Sequence, residues 1–238
     1  LEMILATDPD VILVNSAMGA HRYALEIEPQ LTSAGIPIVL IDVPGKSLTK
    51  SSQETIRLLG QIFQKEERAE EVASFIDDQF EIIESKNLSN HPNKPSVYYE
   101  KSGYSEIFGS TSSSDSGWGT VIDVAGGYNI ADPLLLETAG SKGGNNTLDP
   151  EYIIQADPEF IILSGSGAGW MDNFEGSTPS IPQFDIVKRT GWDNLDAVKN
   201  NNVYEIAHTT SRSIYGFYGA LKLASTFYPE EFSDIDED

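Results

Sequence analysis

Apolar residues in this chain gather in short unbroken runs, separated by stretches of helical periodicity. That is the pattern of strands buried on both faces and flanked by helices. VILV (11–14), IPIVLI (36–41), the VYY of KPSVYYE (94–100) and FIIL (160–163) are such runs, and NNNVYEIA (200–207) holds another. Helical periodicity fills ALEIEPQLTSAG before IPIVLI, GTVIDVAGG before its glycines Gly126 and Gly127, and a terminal stretch near Tyr215 to Tyr228. The alternation of strand and helix predicts α/β layers with parallel sheets.

The longest helical pattern covers Ser51 to Leu88. Ile56, Leu59 and Phe63, then Val72, Ile76 and Ile83, recur at steps of three and four, with a phase slip around Gln64 to Arg68. The spacing predicts one broken helix or two helices. At 1.5 Å per residue some 35 residues span roughly 50 Å, enough to bridge two lobes. The expected organisation is an amino-terminal lobe over 1–50, a connecting helix over 51–88 and a carboxy-terminal lobe over 89–238.

One element is written twice. ILATDPDVILVNSA (4–17) and IIQADPEFIILSGS (153–166) align with Asp8 on Asp157, an offset of 149 residues (157 − 8 = 149), and aliphatic positions match throughout. Each copy is a short amphipathic segment, an Asp-Pro that ends it, a buried strand, and then small polar residues. Helix is expected to stop near Thr7 and Ala156, because a residue before proline is pushed out of the helical region.

Composition narrows the function. Of 238 residues 39% are hydrophobic and no apolar run nears the ~20 residues of a membrane span, so the chain reads as folded and soluble. A formal charge of −22 excludes polyanion partners such as nucleic acid, and otherwise reads as solubility or adaptation to salt. The absence of cysteine removes disulfides, thiolate metal sites and thiol nucleophiles. Three scattered histidines, His21, His91 and His208, do not make a bare-metal site, which for zinc needs three or four converging ligands.

Enzyme templates fail on their own residues. A nucleophile elbow at Ser166 needs glycine two before and two after, where Ser164 and Ala168 stand. A dinucleotide fingerprint from Gly165 needs glycine where Trp170 stands, and no Gly-Lys completes a phosphate loop.

The order LEMILATDPDVILV, AGIPIVLID, EERAEEVASFI, GTVIDVAGGYNIA, LDPEYIIQADPEFIILSG, WDNLDAVKNNNVYEI, LKLASTFYPEEF resembles the ABC-importer substrate-binding proteins for iron–siderophores, haem and vitamin B12. These are the helical-backbone, class III periplasmic binding proteins. The resemblance covers nearly the whole chain and implies two Rossmann-like lobes joined by a long helix. It implies no catalysis and no resident cofactor, with a ferric chelate, haem or corrinoid as the ligand. It implies an extracytoplasmic location, by membrane anchoring in the full-length protein, and an ABC permease as partner. Family members carry more chain before this point, so the first lobe is expected to be truncated or reduced. Its exposed sheet edges would then invite self-association. The resemblance further implies permease docking through Glu2 and Glu151, which stand 149 apart in the register of the repeat. An interaction scaffold on the same fold, or less readily a two-lobed enzyme, remains the alternative.

Ligands of open α/β sheets sit beyond the carboxyl ends of the strands. That selects Asn15, Ser16, Met18, Arg22 and residues 43–46 in the first lobe. In the second it selects Tyr99, Tyr104, Trp118, Trp170, His208, Arg212 and Tyr215. Trp118 and Trp170, in Gly/Ser-rich loops, are expected as flat walls for a planar ligand, or else as local packing under those loops. Arg212 has the planar fork for a carboxylate or catecholate oxygen. Arg22, Lys101, Lys142 and Arg212 are the cations available to offset the acidic surface if the ligand is anionic.

Overall fold

The computed structural model describes residues 1–15, 21, 23–43, 47–101, 108–136, 146–164 and 188–235, with Arg212 described in its backbone alone. It divides into two compact units, Leu1–Asp77 and Asp78–Asp238, and the division falls inside the segment expected as the connector.

In the first unit the order is α1 (Glu2–Ala6), β1 (Ile12–Asn15), α2 (Tyr23–Glu26), α3 (Glu28–Ser33), β2 (Ile38–Ile41) and α4 (Ser51–Ile62). Strands β1 and β2 pair in parallel, Ile12 opposite Ile38 through Asn15 opposite Ile41. Val14, Leu31 and Ile36 are buried beneath them, as the apolar runs predict.

Helix α5 (Glu66–Ser85) follows after a three-residue break. The break comes at the phase slip: Gln64 adopts a left-handed φ of 53° and Lys65 N–H bonds back to Gly60 O at 2.7 Å. The two helices touch at Gly60, where a Cβ would stand 2.3 Å from Ala69 Cβ. Arg57 crosses the gap, donating to both oxygens of Glu70 (2.8 and 2.9 Å) and to Asp77 (2.9 Å). Those bonds hold the Glu70 carboxyl down at about 2, and the two carboxylates raise Arg57 in turn.

Along α5 the buried face is Ala69, Ala73, Ile76, Phe80 and Ile83, at helical spacing as expected. Along α4 the apolar stripe is not the buried one. Phe63 is 53% exposed, Ile56 and Leu59 are half-buried, and Ser51, Gln53 and Thr55 are buried instead. Hydrogen bonding explains the reversal. Ser51 Oγ donates to Asp42 Oδ2 (3.0 Å), Thr55 Oγ1 accepts from Asp42 N–H (3.3 Å), and Gln53 Nε2 donates to Thr49 O and Asp77 Oδ1. Ser51 Oγ, Thr55 Oγ1 and Gln53 Nε2 have partners in place and so cost little to bury, and their bonds at and beyond the end of β2 favour the polar face, although Gln53 Oε1 is buried with no partner among the described residues.

The second unit runs β3 (Ser96–Glu100), α6 (Gly117–Val124), β4 (Tyr128–Asn129), α7 (Asp132–Leu135), α8 (Pro150–Ala156), β5 (Phe160–Leu163), α9 (Asp196–Lys199), β6 (Val203–Glu205) and α10 (Gly216–Phe227). The sheet is parallel throughout, in the order β4-β3-β5-β6. Successive side chains of a strand point to opposite faces. Tyr98, Ile161 and Leu163 join Ile153, Trp192 and Leu195 in one apolar cluster, whereas Tyr99 stacks on Trp118 of α6.

The repeat in sequence is a repeat in structure. Asp8 and Asp157 both take the left-handed conformation, φ 46° and 42°, each after a short helix and before a proline. Proline disfavours the right-handed helical region for the preceding residue, and aspartate tolerates the left-handed one better than most. Ile12 N–H then bonds to Pro37 O at 2.9 Å, and Ile161 N–H, 149 residues on, bonds to Asn202 O at 2.9 Å. Each bond lands on the residue just before the paired strand, so both copies open a parallel ladder in the same way.

Candidate ligand site at the carboxyl ends of the strands

Two polar networks close the carboxyl ends of β3, β5 and β6. In the first, Tyr99 OH and Ser164 Oγ share a hydrogen bond of 2.7 Å, and Ser164 Oγ lies 3.0 Å from His208 Nδ1. Ser164 extends β5, its N–H bonding to Glu100 O at 3.1 Å, and His208 opens the short 3-10 turn that follows β6. All three are buried. A serine beside an imidazole is the start of a nucleophilic arrangement, but Ser164 is buried and its hydroxyl is shared with Tyr99 OH. The chain of hydroxyl, hydroxyl and imidazole is a polar floor that ties three strand ends together.

The second network is ionic. Glu100, the last residue of β3, is completely buried and accepts hydrogen bonds from several described residues. They come from Tyr98 OH (2.8 Å), Gly109 N–H (2.8 Å) and both Nη atoms of Arg189 (2.7 and 2.8 Å). The Arg189 guanidinium lies between aromatic rings, 4.0 Å from the centre of Phe108 and 4.6 Å from that of Trp192. Burial, with the Glu100 charge behind it, pushes the Tyr98 phenol well above its ordinary range. Thus one carboxylate fixes the end of β3, the residues after Phe108 and the approach to Trp192.

The Ser-rich segment ahead of α6 is held by its own hydroxyls and amides. Ser112 Oγ accepts Gly119 N–H (3.0 Å), Ser112 O accepts from Asn129 Nδ2 (2.7 Å), and Ser114 N–H bonds to Asp132 Oδ1 (2.8 Å). Burial raises the Asp132 carboxyl despite that bond. Packing is close enough that a Cβ on Gly119 would stand 1.9 Å from Ser113 O.

The open aromatic wall expected at Trp118 is absent there. The indole is 1% exposed, stacked on Tyr99 at 6.1 Å and 29°, with Gly219 against its six-membered ring. Tyr99 is buried in the same stack, its hydroxyl engaged as above. Gly219 lets the α10 backbone approach the ring, and Gly119 lets the Ser113 carbonyl approach α6 beside it, so the ring becomes core. Exposed aromatic surface in the segment after β6 comes from Tyr215, 59% exposed at the start of α10, and from Tyr218, 40% exposed one turn on. In the first unit Asn15 is buried: its Nδ2 donates to Val43 O and its N–H to His21 Nδ1 (3.1 Å). Asn15 joins the end of β1 to the segment after β2.

Ser16, Met18, Arg22, residues 44–46, Tyr104, Lys142, Ser166, Trp170 and the Arg212 side chain lie outside the described residues. Glu2 and Glu151 are both exposed, each in the first turn of its helix, α1 and α8. Asp149 caps α8 by accepting Glu151 N–H at 2.7 Å. Among the described residues no group of three or more His, Asp or Glu is placed to hold a metal, and no helix is long and apolar enough to cross a membrane.

Glu100, Arg189 and Tyr218 escape the sequence reading. A charged residue ending a buried run is a visible signal for Glu100, but nothing in KRTGW separates Arg189 from a surface arginine.

Known proteins share this fold. A FepB protein from Veillonella parvula, a TroA-like periplasmic binding protein, superposes with a TM-score of 0.84 at 28% identity, covering 99% of this chain and 67% of its own. An uncharacterised ABC transporter substrate-binding lipoprotein of Bacillus subtilis, YvrC, is 23% identical over 238 residues, 98% of this chain and 67% of its own length. The molybdate-binding protein MolA of Haemophilus influenzae is 21% identical over 268 aligned positions, covering 100% of this chain and 66% of its own. The chain spans about two-thirds of the length of these relatives. The periplasmic binding protein family profile matches residues 1–209, from α1 through β6, and with both copies of the helix–strand repeat inside that match the chain belongs to this family.

Proposed function

We propose that this protein captures a metal chelate outside the cytoplasm, a ferric siderophore, haem or corrinoid, and delivers it to an ABC importer without chemical change. The observation that carries the reading is the carboxyl end of the second sheet. There Tyr99, Ser164 and His208 form a fixed polar floor, and exposed aromatic surface at Tyr215 and Tyr218 stands at the start of α10, whose Gly219 packs on the Trp118 ring stacked against Tyr99. Rings of that kind suit a large planar or lipophilic ligand, each stacking contact contributing about 0.5 to 1.5 kcal/mol beyond area burial. Burial of Ser164, whose pairing with His208 is the start of a hydrolytic arrangement, weighs against hydrolysis. Glu2 and Glu151 are the docking carboxylates in this reading, and the full-length protein is held at the membrane by a lipid anchor, as the B. subtilis relative's description as a lipoprotein suggests.

Thermal unfolding and tryptophan fluorescence of the purified chain, titrated with ferric catecholate and hydroxamate siderophores, haem, cobalamin and molybdate, test the proposal. One chelate is expected to bind saturably and raise the unfolding midpoint. Tyr215→Ala with Tyr218→Ala should then weaken it by roughly tenfold or more. Molybdate alone stabilising the protein would move it to the oxyanion class, and no saturable ligand would favour a scaffold that kept the fold.

A further inference from the structure

The two repeat copies share a second exposed feature besides the glutamate. Three residues after each glutamate, one turn along the same helix face, stands an aliphatic side chain: Leu5 after Glu2 and Ile154 after Glu151. Both are 39% exposed. The position between turns inward in each copy, with Ile153 fully buried and Ile4 half-buried, so both helices present the outer pair in the same way. Beside Glu2, Met3 adds a side chain that is 85% exposed. A single exposed aliphatic residue on a soluble protein is ordinary. Here the same residue class recurs at the equivalent position of an internal repeat, with the same exposure and beside the same carboxylate.

We infer that docking uses a two-part surface in each copy, a carboxylate and an aliphatic knob, Glu2 with Leu5 and Glu151 with Ile154. The inference rests on the permease-docking reading above. It specifies the partner's chemistry: a basic side chain beside an apolar pocket, presented twice, once for each copy. The parts divide the work. Exposed carboxylates on a chain of charge −22 steer a basic partner and are screened by salt, whereas a desolvated aliphatic side chain slows dissociation and is not.

The test is association of the full chain with its cognate ABC permease–ATPase complex, held in lipid nanodiscs, measured at about 50 mM and about 500 mM salt. Leu5→Ser and Ile154→Ser should each weaken association roughly tenfold at both salt concentrations. Leu5→Met and Ile154→Leu should restore it. Glu2→Gln and Glu151→Gln should weaken association at low salt, with the deficit shrinking at high salt. Leu136→Ser, at an exposed leucine outside the repeat, should change nothing. Because Ile154 packs over Gly191, the Ile154→Leu variant separates loss of the knob from local disturbance. Both Ser variants associating within twofold of wild type while the Gln variants are weakened would overturn the inference and leave glutamate docking standing. If the wild-type chain itself fails to associate, the docking reading falls and this inference with it.

Discussion

Removing Arg189 while leaving Glu100 in place should be among the most damaging single changes available in the second unit. In Arg189→Met the methionine fills the slot between Phe108 and Trp192 with a flexible thioether, so little apolar packing is lost. What disappears is two charge-assisted hydrogen bonds, 2.7 and 2.8 Å, to a fully buried carboxylate. At about 1.5 to 3 kcal/mol each, their loss comes to roughly 3 to 6 kcal/mol, in line with the ~3–5 kcal/mol typical of breaking a buried ion pair from one side. Glu100→Gln in the Arg189→Met background should recover at least about 2 kcal/mol of that, because the amide is neutral. Its oxygen still accepts Gly109 N–H, and its NH₂ can donate to the Tyr98 oxygen, whose hydroxyl turns from donor to acceptor. Urea unfolding followed by circular dichroism on the four proteins of the cycle gives the coupling energy directly. A loss below about 1 kcal/mol for Arg189→Met, or a double variant as unstable as the two single losses added together, would refute the account of Glu100 as a charge that depends on its partner.

Three further outcomes are expected. The Glu70 carboxyl is depressed to about 2 from near 4.5, so its contribution is complete above the ordinary value and is lost as pH falls through about 2. Glu70→Gln should therefore reduce the fall in urea midpoint between about pH 5 and pH 2, and an unchanged fall would dissociate Arg57–Glu70 from acid sensitivity. Gly119→Ala sets a Cβ 1.9 Å from Ser113 O and 2.3 Å from its carbonyl carbon, backbone atoms that cannot turn aside. A loss of about 3 kcal/mol should appear in the urea midpoint, and a loss below about 1 kcal/mol would mean the Ser-rich segment is free to shift. Asp8→Gly relieves a left-handed residue and should be neutral or stabilising by up to about 1 kcal/mol. Asp157→Gly should fall about 1 kcal/mol below it, since Asp157 Oδ1 also accepts Asp196 N–H at 2.8 Å; equal values would remove that bond from the account.

Strands were legible wherever an apolar run was unbroken: VILV, IPIVLI, VYY and FIIL lie at β1, β2, β3 and β5. The helix break was legible as a phase slip and is realised at Phe63–Lys65, because a change of helical phase marks an interruption whichever face is buried. Strand β4, two residues long, leaves no periodic trace. On α4 the pattern pointed to the wrong face, since hydroxyls that bond to the end of β2 are worth more there than aliphatic burial, and no hydropathy scale registers a partner 9 to 13 residues away. The same limit governs the site. Strand-end logic reached Tyr99 and His208, which depends only on where apolar runs stop. It did not reach Arg189, whose role is set by a carboxylate 89 residues distant. It left Trp118 between a ligand wall and local packing, because glycine-rich flanks do not say whether a chain is loose or closely packed; here the ring is buried and Gly219 lets the α10 backbone close in on it.

The matched turns at Asp8 and Asp157 make the molecule its own control. One backbone geometry, left-handed aspartate then proline then a strand entered through an isoleucine amide, sits once beside a two-stranded sheet and once within a four-stranded one. A label or isotopic probe placed at both positions would report the same local event in two surroundings, within a single sample at a single concentration. Any difference between the two signals then measures what the neighbouring strands add, free of the errors that separate one preparation from the next.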